Sequence, residues 1–138
     1  MPKNIVLVLF LILTLTAIPA WGVDLNPGKY EITSRVKMAG MPGEMPPQTI
    51  TQCLTKQDKV PGASAGAQGC KITEMKTEGN SVIYKMECQQ NGTTVKCDGK
   101  ITYKGDSFEG TTQTHMGPAA GNMTITTIIS GKRIGNCE

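Results

Sequence analysis

Histidine and aromatic residues are scarce in this chain: 138 residues carry one histidine, one tryptophan, three tyrosines and two phenylalanines. A nucleophile-and-base mechanism would have to use His115, and nothing near it in sequence resembles a nucleophile motif. Glu31, Glu87, Asp98 and Glu109 fall at outward or turn positions, so no carboxylate pair can be read from the sequence. The Cys-x-x-Cys spacing of disulfide oxidoreductases is missing. Basic residues do not cluster with aromatics, and the formal net charge is only +3, which excludes a recognisable nucleic-acid surface. The sequence reads as no enzyme, with no cofactor and no nucleic-acid partner.

The one long apolar run stands at the start. Lys3 is followed by an apolar stretch from Ile5 to Leu15, broken at Pro19, and Ala20-Trp21-Gly22 puts small residues at the two positions a signal peptidase reads. The run is shorter than the roughly 20 residues that span a bilayer, and no cysteine follows it to take a lipid. Residues 1–22 are therefore expected to be a cleaved signal peptide. The mature chain then begins at Val23, is periplasmic or secreted, and keeps no stable membrane span.

What remains is one domain, 23–138, with Tyr30, Tyr84, Tyr103 and Phe108 as its aromatics. A core that small in an oxidising compartment usually relies on disulfides. Cys53, Cys70, Cys88, Cys97 and Cys137 supply two bridges and one spare thiol.

Period-two alternation dominates the mature chain and marks half-buried strands. Tyr30, Ile32, Val36 and Met38 face one way against Lys29, Glu31, Thr33, Arg35 and Lys37. The same pattern recurs at Val82, Tyr84, Met86 and Cys88, and at Val95, Cys97, Gly99, Ile101 and Tyr103. Gly79-Asn80, Asn91-Gly92 and Gly105-Asp106 punctuate these runs, and Asn-Gly is a strong hairpin signal because both residues accept positive φ. Strands are expected near 28–38, 48–53, 71–78, 81–89, 94–104, 107–115 and 123–130. The fold class is all-β: an antiparallel meander of about seven strands forming a curved sheet or partly open barrel, disulfide-bonded. The Pro/Gly-rich stretches 39–47 and 61–69 read as loops. Thr55 and Asp58 suit a helix start, so one short helical turn is expected near 55–60.

Two constellations suggest binding. Met38, Met41 and Met45 cluster in a Gly/Pro loop, with His115-Met116 elsewhere; thioethers are soft ligands for Cu(I), although methionine also fills irregular apolar gaps. Gly28-x-Tyr30 opening the first strand, with Arg133 near the end, suggests a lipocalin-like barrel in which the guanidinium stacks on the ring. Inward Thr112, Thr114 and Gly99 are small or polar and fit a cavity or a poorly covered face.

Gly28-Lys-Tyr-Glu31, the Met/Pro stretch through Met45-Pro-Pro-Gln-Thr49, Cys53-Leu-Thr, Cys70-Lys, Tyr103-Lys-Gly-Asp-Ser-Phe-Glu-Gly110 and Gly131-Lys-Arg-Ile-Gly-Asn-Cys137 form an ordered set across the mature chain. Together they resemble the bacterial exported family catalogued as domain of unknown function 3617. The resemblance implies a periplasmic location and no assigned activity. The family usually has tryptophan where this chain has Tyr30, and usually lacks a cysteine at Cys97. It therefore implies that Cys53, Cys70, Cys88 and Cys137 form the bridges and Cys97 is unpaired. Four cysteines allow three connectivities. Cys53–Cys70 with Cys88–Cys137 is the favoured expectation, since the first would tie down the 55–69 loop; Cys88–Cys97, diagonal across the Asn-Gly hairpin, is the competitor. The functional expectation is a non-enzymatic binding or structural module of the bacterial envelope, taking a small apolar ligand or an envelope protein. Soft-metal binding through Met38, Met41 and Met45 is the alternative.

Overall fold

A computed structural model describes residues 22–61 and 69–138. Residues 1–21 of the expected leader and the centre of the 61–69 loop lie outside the described residues. Seven strands form one antiparallel sheet: β1 (Gly28–Met38), β2 (Gln48–Leu54), β3 (Cys70–Glu78), β4 (Ser81–Gln90), β5 (Thr93–Tyr103), β6 (Ser107–His115) and β7 (Thr124–Gly135). Their order is β2-β1-β7-β6-β5-β4-β3. β2 and β3 are consecutive in the chain yet form opposite edges, so the sheet is open and no lipocalin-type closure occurs. It still curls, because Leu54 on edge β2 shares one core cluster with Val82 and Tyr84 of β4.

The alternating residues produce this directly. Along β1, Tyr30 and Ile32 are buried while Glu31, Arg35 and Lys37 are exposed. Asn91 and Gly92 both take positive φ, 49° and 78°, as a two-residue primed turn requires. That turn registers Cys88 with Val95 and Met86 with Cys97, which leaves Cys97 diagonal to Cys88.

Three expectations are corrected. First, residues 55–60 form turns rather than a helix. The capping chemistry is present: the Thr55 N–H donates to Asp58 Oδ2 at 2.7 Å and the Gln57 N–H to Thr55 Oγ1 at 3.3 Å. The hydroxyl of Tyr103, however, donates to the Lys59 carbonyl at 2.6 Å, Val60 is pulled into the core, and Pro61 follows. The single 3₁₀ turn among the described residues is Pro118–Ala120. Second, β7 runs to Gly135 rather than ending near 130, and its added residues pair with the start of β1. Third, the bridges are Cys53–Cys137 and Cys70–Cys88, with Cys97 free and buried. The favoured Cys53–Cys70 pair fails because Cys53 and Cys70 stand on opposite edges of the sheet. Lys29 of β1 is registered with Cys53 on one side and Gly135 on the other, which brings Cys137 to Cys53 with a Cα separation of 5.8 Å. Cys70 is directly opposite Cys88.

Candidate functional site

The inner face of the sheet carries the candidate site, and three glycines shape it. Phe108 of β6 lies across Gly131 of β7, its cross-strand partner, so that a Cβ at Gly131 would run into the ring. Tyr84 of β4 lies across Gly99 of β5, and its hydroxyl reaches Thr112 of β6. Gly110 gives Ile101 room in the same way. Glycine here is chosen for close approach of a neighbour, at the cost of strand propensity.

These rings fill one end of the face, where β1 begins. Tyr30, Leu54, Val82, Ile101, Tyr103 and Phe108 are all at most 2 % exposed. Phe108 sits between the two tyrosines, with ring centroids 5.7 Å from each. The buried hydroxyls are satisfied. Tyr30 donates toward the carbonyls of Asn26 at 2.7 Å and Gly105 at 3.0 Å, and Tyr103 toward Lys59. Burial raises the pKa of Tyr103, Tyr30 and Tyr84 above the ordinary phenol value, most strongly for Tyr103. Residues 24–26 are stitched to the β5–β6 turn and place Leu25 over this end.

The opposite half of the same face is incompletely covered. A recess of about 240 Å³ is lined by Val60, Met86, Cys97, Thr114, Thr127 and Ile129, among others. A second, of about 360 Å³, lies between residues 57–60 and the inner residues Cys70, Ile72 and Met75 of β3. Val60 and Met86 border both. Cys97 Sγ is 3.4 Å from Thr114 Oγ1, and Tyr84 is held to Thr112, so sulfur and hydroxyl groups face apolar side chains across the opening. Inner residues of both edge strands stay exposed: Ile50 on β2, Ile72 and Met75 on β3. Sequence reasoning placed Gly99, Thr112 and Thr114 on the inner face. It did not find Val60, which comes from a turn without periodicity, or Gln52, whose Oε1 is buried without a hydrogen-bond partner.

Met38 ends β1, and Met41 and Met45 are exposed in the β1–β2 connection, where Met41 N–H donates to the Met38 carbonyl and Met45 N–H to that of Val36. Met38 is registered with Ile125, so the β6–β7 connection bearing Met116 and Met123 emerges at the same end of the sheet. Tyr30 and Arg133 are cross-strand partners, as the Gly-x-Tyr comparison required. The guanidinium is engaged elsewhere: Nε donates to the Pro27 carbonyl at 3.0 Å, over Gly28, and Nη2 donates to Asn136. No cation–π pair occurs among the described residues. His115 lies on the outer face with Nε2 2.8 Å from Asp98 Oδ1 and Nδ1 3.4 Å from Thr124 Oγ1. Both side chains are nearly half exposed, which gives the contact the weak energetics of a surface pair.

An open antiparallel sheet, clasped by two disulfides and with its inner face half filled, defines the architectural class. The chain belongs to the family described as "Protein of unknown function (DUF3617)", whose model matches residues 25–137. No curated protein and no solved structure matches it.

Proposed function

We propose that this chain is a non-enzymatic binding module of the bacterial envelope, and that it takes a small apolar molecule on the uncovered half of its inner face. The supporting observation is the contrast within one face: at one end aromatic rings fill the space completely, while 360 and 240 Å³ recesses stand open on either side of Val60 and Met86. Concave, mainly apolar surfaces with a few placed polar groups are where small ligands bind. The test is native mass spectrometry of protein exported to a bacterial periplasm, compared with the Thr114→Phe and Thr127→Phe variants. A small organic species on the native protein that both variants lose, with unchanged thermal unfolding, supports the reading. Retention of that species by both folded variants overturns it, as does a wild-type protein that carries no ligand and takes up none from an envelope lipid extract.

Soft-metal binding is a second reading, favoured by one observation. The loop holding Met116 and Met123 emerges beside the Met38/Met41/Met45 loop, and Met41, Met45 and Met123 are all exposed. Thioethers gathered this way suit Cu(I). The Met41→Leu/Met45→Leu double variant should weaken Cu(I) in a chelator competition; an unchanged affinity sinks the idea.

A further inference from the structure

Three of the five cysteines meet on the inner face. Cys88 and Cys97 are buried in one cluster with Val95, against which Cys70 and Met86 pack. Cys88 stands between the other two in the sheet: Cys70 is directly opposite it on β3, and Cys97 is its diagonal neighbour on β5, one pleat beyond Val95. Diagonal neighbours on one face stand about 7–8 Å apart, so a Cys88–Cys97 bond needs a local shift of the β4–β5 backbone. A free thiol packed in the same cluster as a disulfide is the arrangement that thiol–disulfide exchange requires.

We infer that Cys97 exchanges with the Cys70–Cys88 bridge, so that this cluster holds two interconvertible cross-links. The Cys97 thiolate attacks Cys88 Sγ. A Cys88–Cys97 bond forms as the Cys70–Cys88 bond breaks, and the electron pair leaves on Cys70 Sγ, which takes up the proton that Cys97 gave up. One disulfide and one thiol are present before and after, so the step consumes no oxidant or reductant. The Thr114 hydroxyl, 3.4 Å from Cys97 Sγ, is placed to donate to the thiolate that starts it.

The two bridges differ in what they hold. Cys70–Cys88 ties down β3, which pairs with β4 alone and is exposed from Lys71 to Glu78. Cys88–Cys97 would instead link β4 to β5 inside the sheet and release the start of β3. Cys70 lines one recess and Cys97 the other, so the exchange would redraw the boundary of both. The device is independent of whether those recesses take a ligand.

The test uses the full exported chain. Protein held at pH 6, 7 and 8 is quenched in acid, denatured with N-ethylmaleimide and digested with trypsin, which places Cys70, Cys88 and Cys97 on the separate peptides Val60–Lys71, Met86–Lys96 and Cys97–Lys100. The expected result is a minor population, on the order of 1–10 %, with the label on Cys70 and a Cys88–Cys97 link. Its rate of appearance should rise with pH, because the thiolate and not the thiol is the attacking species. The population must vanish in Cys97→Ser. A second variant does not depend on a minor state: Cys70→Ser, refolded with oxidised glutathione, should close Cys88–Cys97 while Cys53–Cys137 stays intact. Label confined to Cys97 in the wild type, together with two free thiols in folded Cys70→Ser, overturns the proposal. So does Cys70 labelling that persists in Cys97→Ser, because the bridge would then open by another route.

Discussion

The two ends of the inner face are built from the same alternating strands and differ in what was placed at the inward positions. Where β1 begins, the inward residues are Tyr30, Tyr103 and Phe108, each lying over or beside a glycine or a short loop that leaves it room. Where β1 ends, the inward residues of the central strands are Thr114, Thr127, Cys97 and Ile129, too small to meet across a curled sheet. One end therefore completes a core, and the other leaves a hollow. Stability should reside at the first and adaptable binding at the second, and substitutions at each end can separate the two roles.

The largest effect should come from the bridges. Removing Cys53–Cys137 with a double serine variant opens a loop spanning 84 residues at the filled end and should cost about 4–5 kcal/mol in the chain-entropy model, read from urea unfolding. Removing Cys70–Cys88, which spans 18 residues at the open end, should cost only about 3 kcal/mol by the same measurement. A reversed order would mean that the uncovered end carries more of the stability than its packing indicates.

Next come the side chains. Phe108→Ala should cost about 3–5 kcal/mol, because it empties the space between two buried tyrosines. Thr127→Ala, at the hollow, should stay within about 0.5 kcal/mol, because its surroundings are already open. Comparable losses in thermal unfolding would erase the distinction between the ends.

Backbone and titration sharpen the contrast further. Gly131→Ala should cost about 1–3 kcal/mol through its clash with Phe108, whereas Gly117→Ala meets nothing and should be nearly neutral. Burial raises the pKa of Tyr103 above the ordinary phenol value. Its neutral form therefore contributes stability that is whole below pH 10 and is lost at about 1.4 kcal/mol per pH unit as the unfolded chain alone ionises. Tyr103→Phe should flatten that alkaline loss, measured as unfolding midpoint against pH from 9 to 11; an unchanged slope would show that Tyr103 ionises as freely folded as unfolded. The smallest effect belongs to the outer face: Asp98→Asn should change stability by less than about 0.5 kcal/mol, since its contact with His115 is solvated.

Much of this fold was legible in the sequence. Strand positions followed from alternation, and the Asn91-Gly92 hairpin followed from a two-residue combination that readily accepts positive φ at both positions. The end of β7 was missed because Gly131-Lys-Arg interrupts the apolar pattern. That glycine is inward and leaves room for Phe108, a reason that exists only across strands. The helical turn at 55–60 was a fair reading of local chemistry, since Thr55 and Asp58 do form the capping hydrogen bonds. The Lys59 N–H donates to the Gln57 carbonyl instead of one turn back to Thr55, and Tyr103, far along the chain, holds the Lys59 carbonyl.

Local composition determined which residues point inward, where the chain turns, and that the core would hold few aromatic residues. These properties depend on period-two side-chain geometry and on backbone freedom, both of which are written residue by residue. Tertiary structure alone decided that consecutive strands β2 and β3 would sit at opposite edges, that Cys53 would therefore meet Cys137 and Cys70 meet Cys88, and that one half of the inner face would stay open. Strand order is a property of how a whole sheet curls around its largest side chains, and no single strand's sequence contains it.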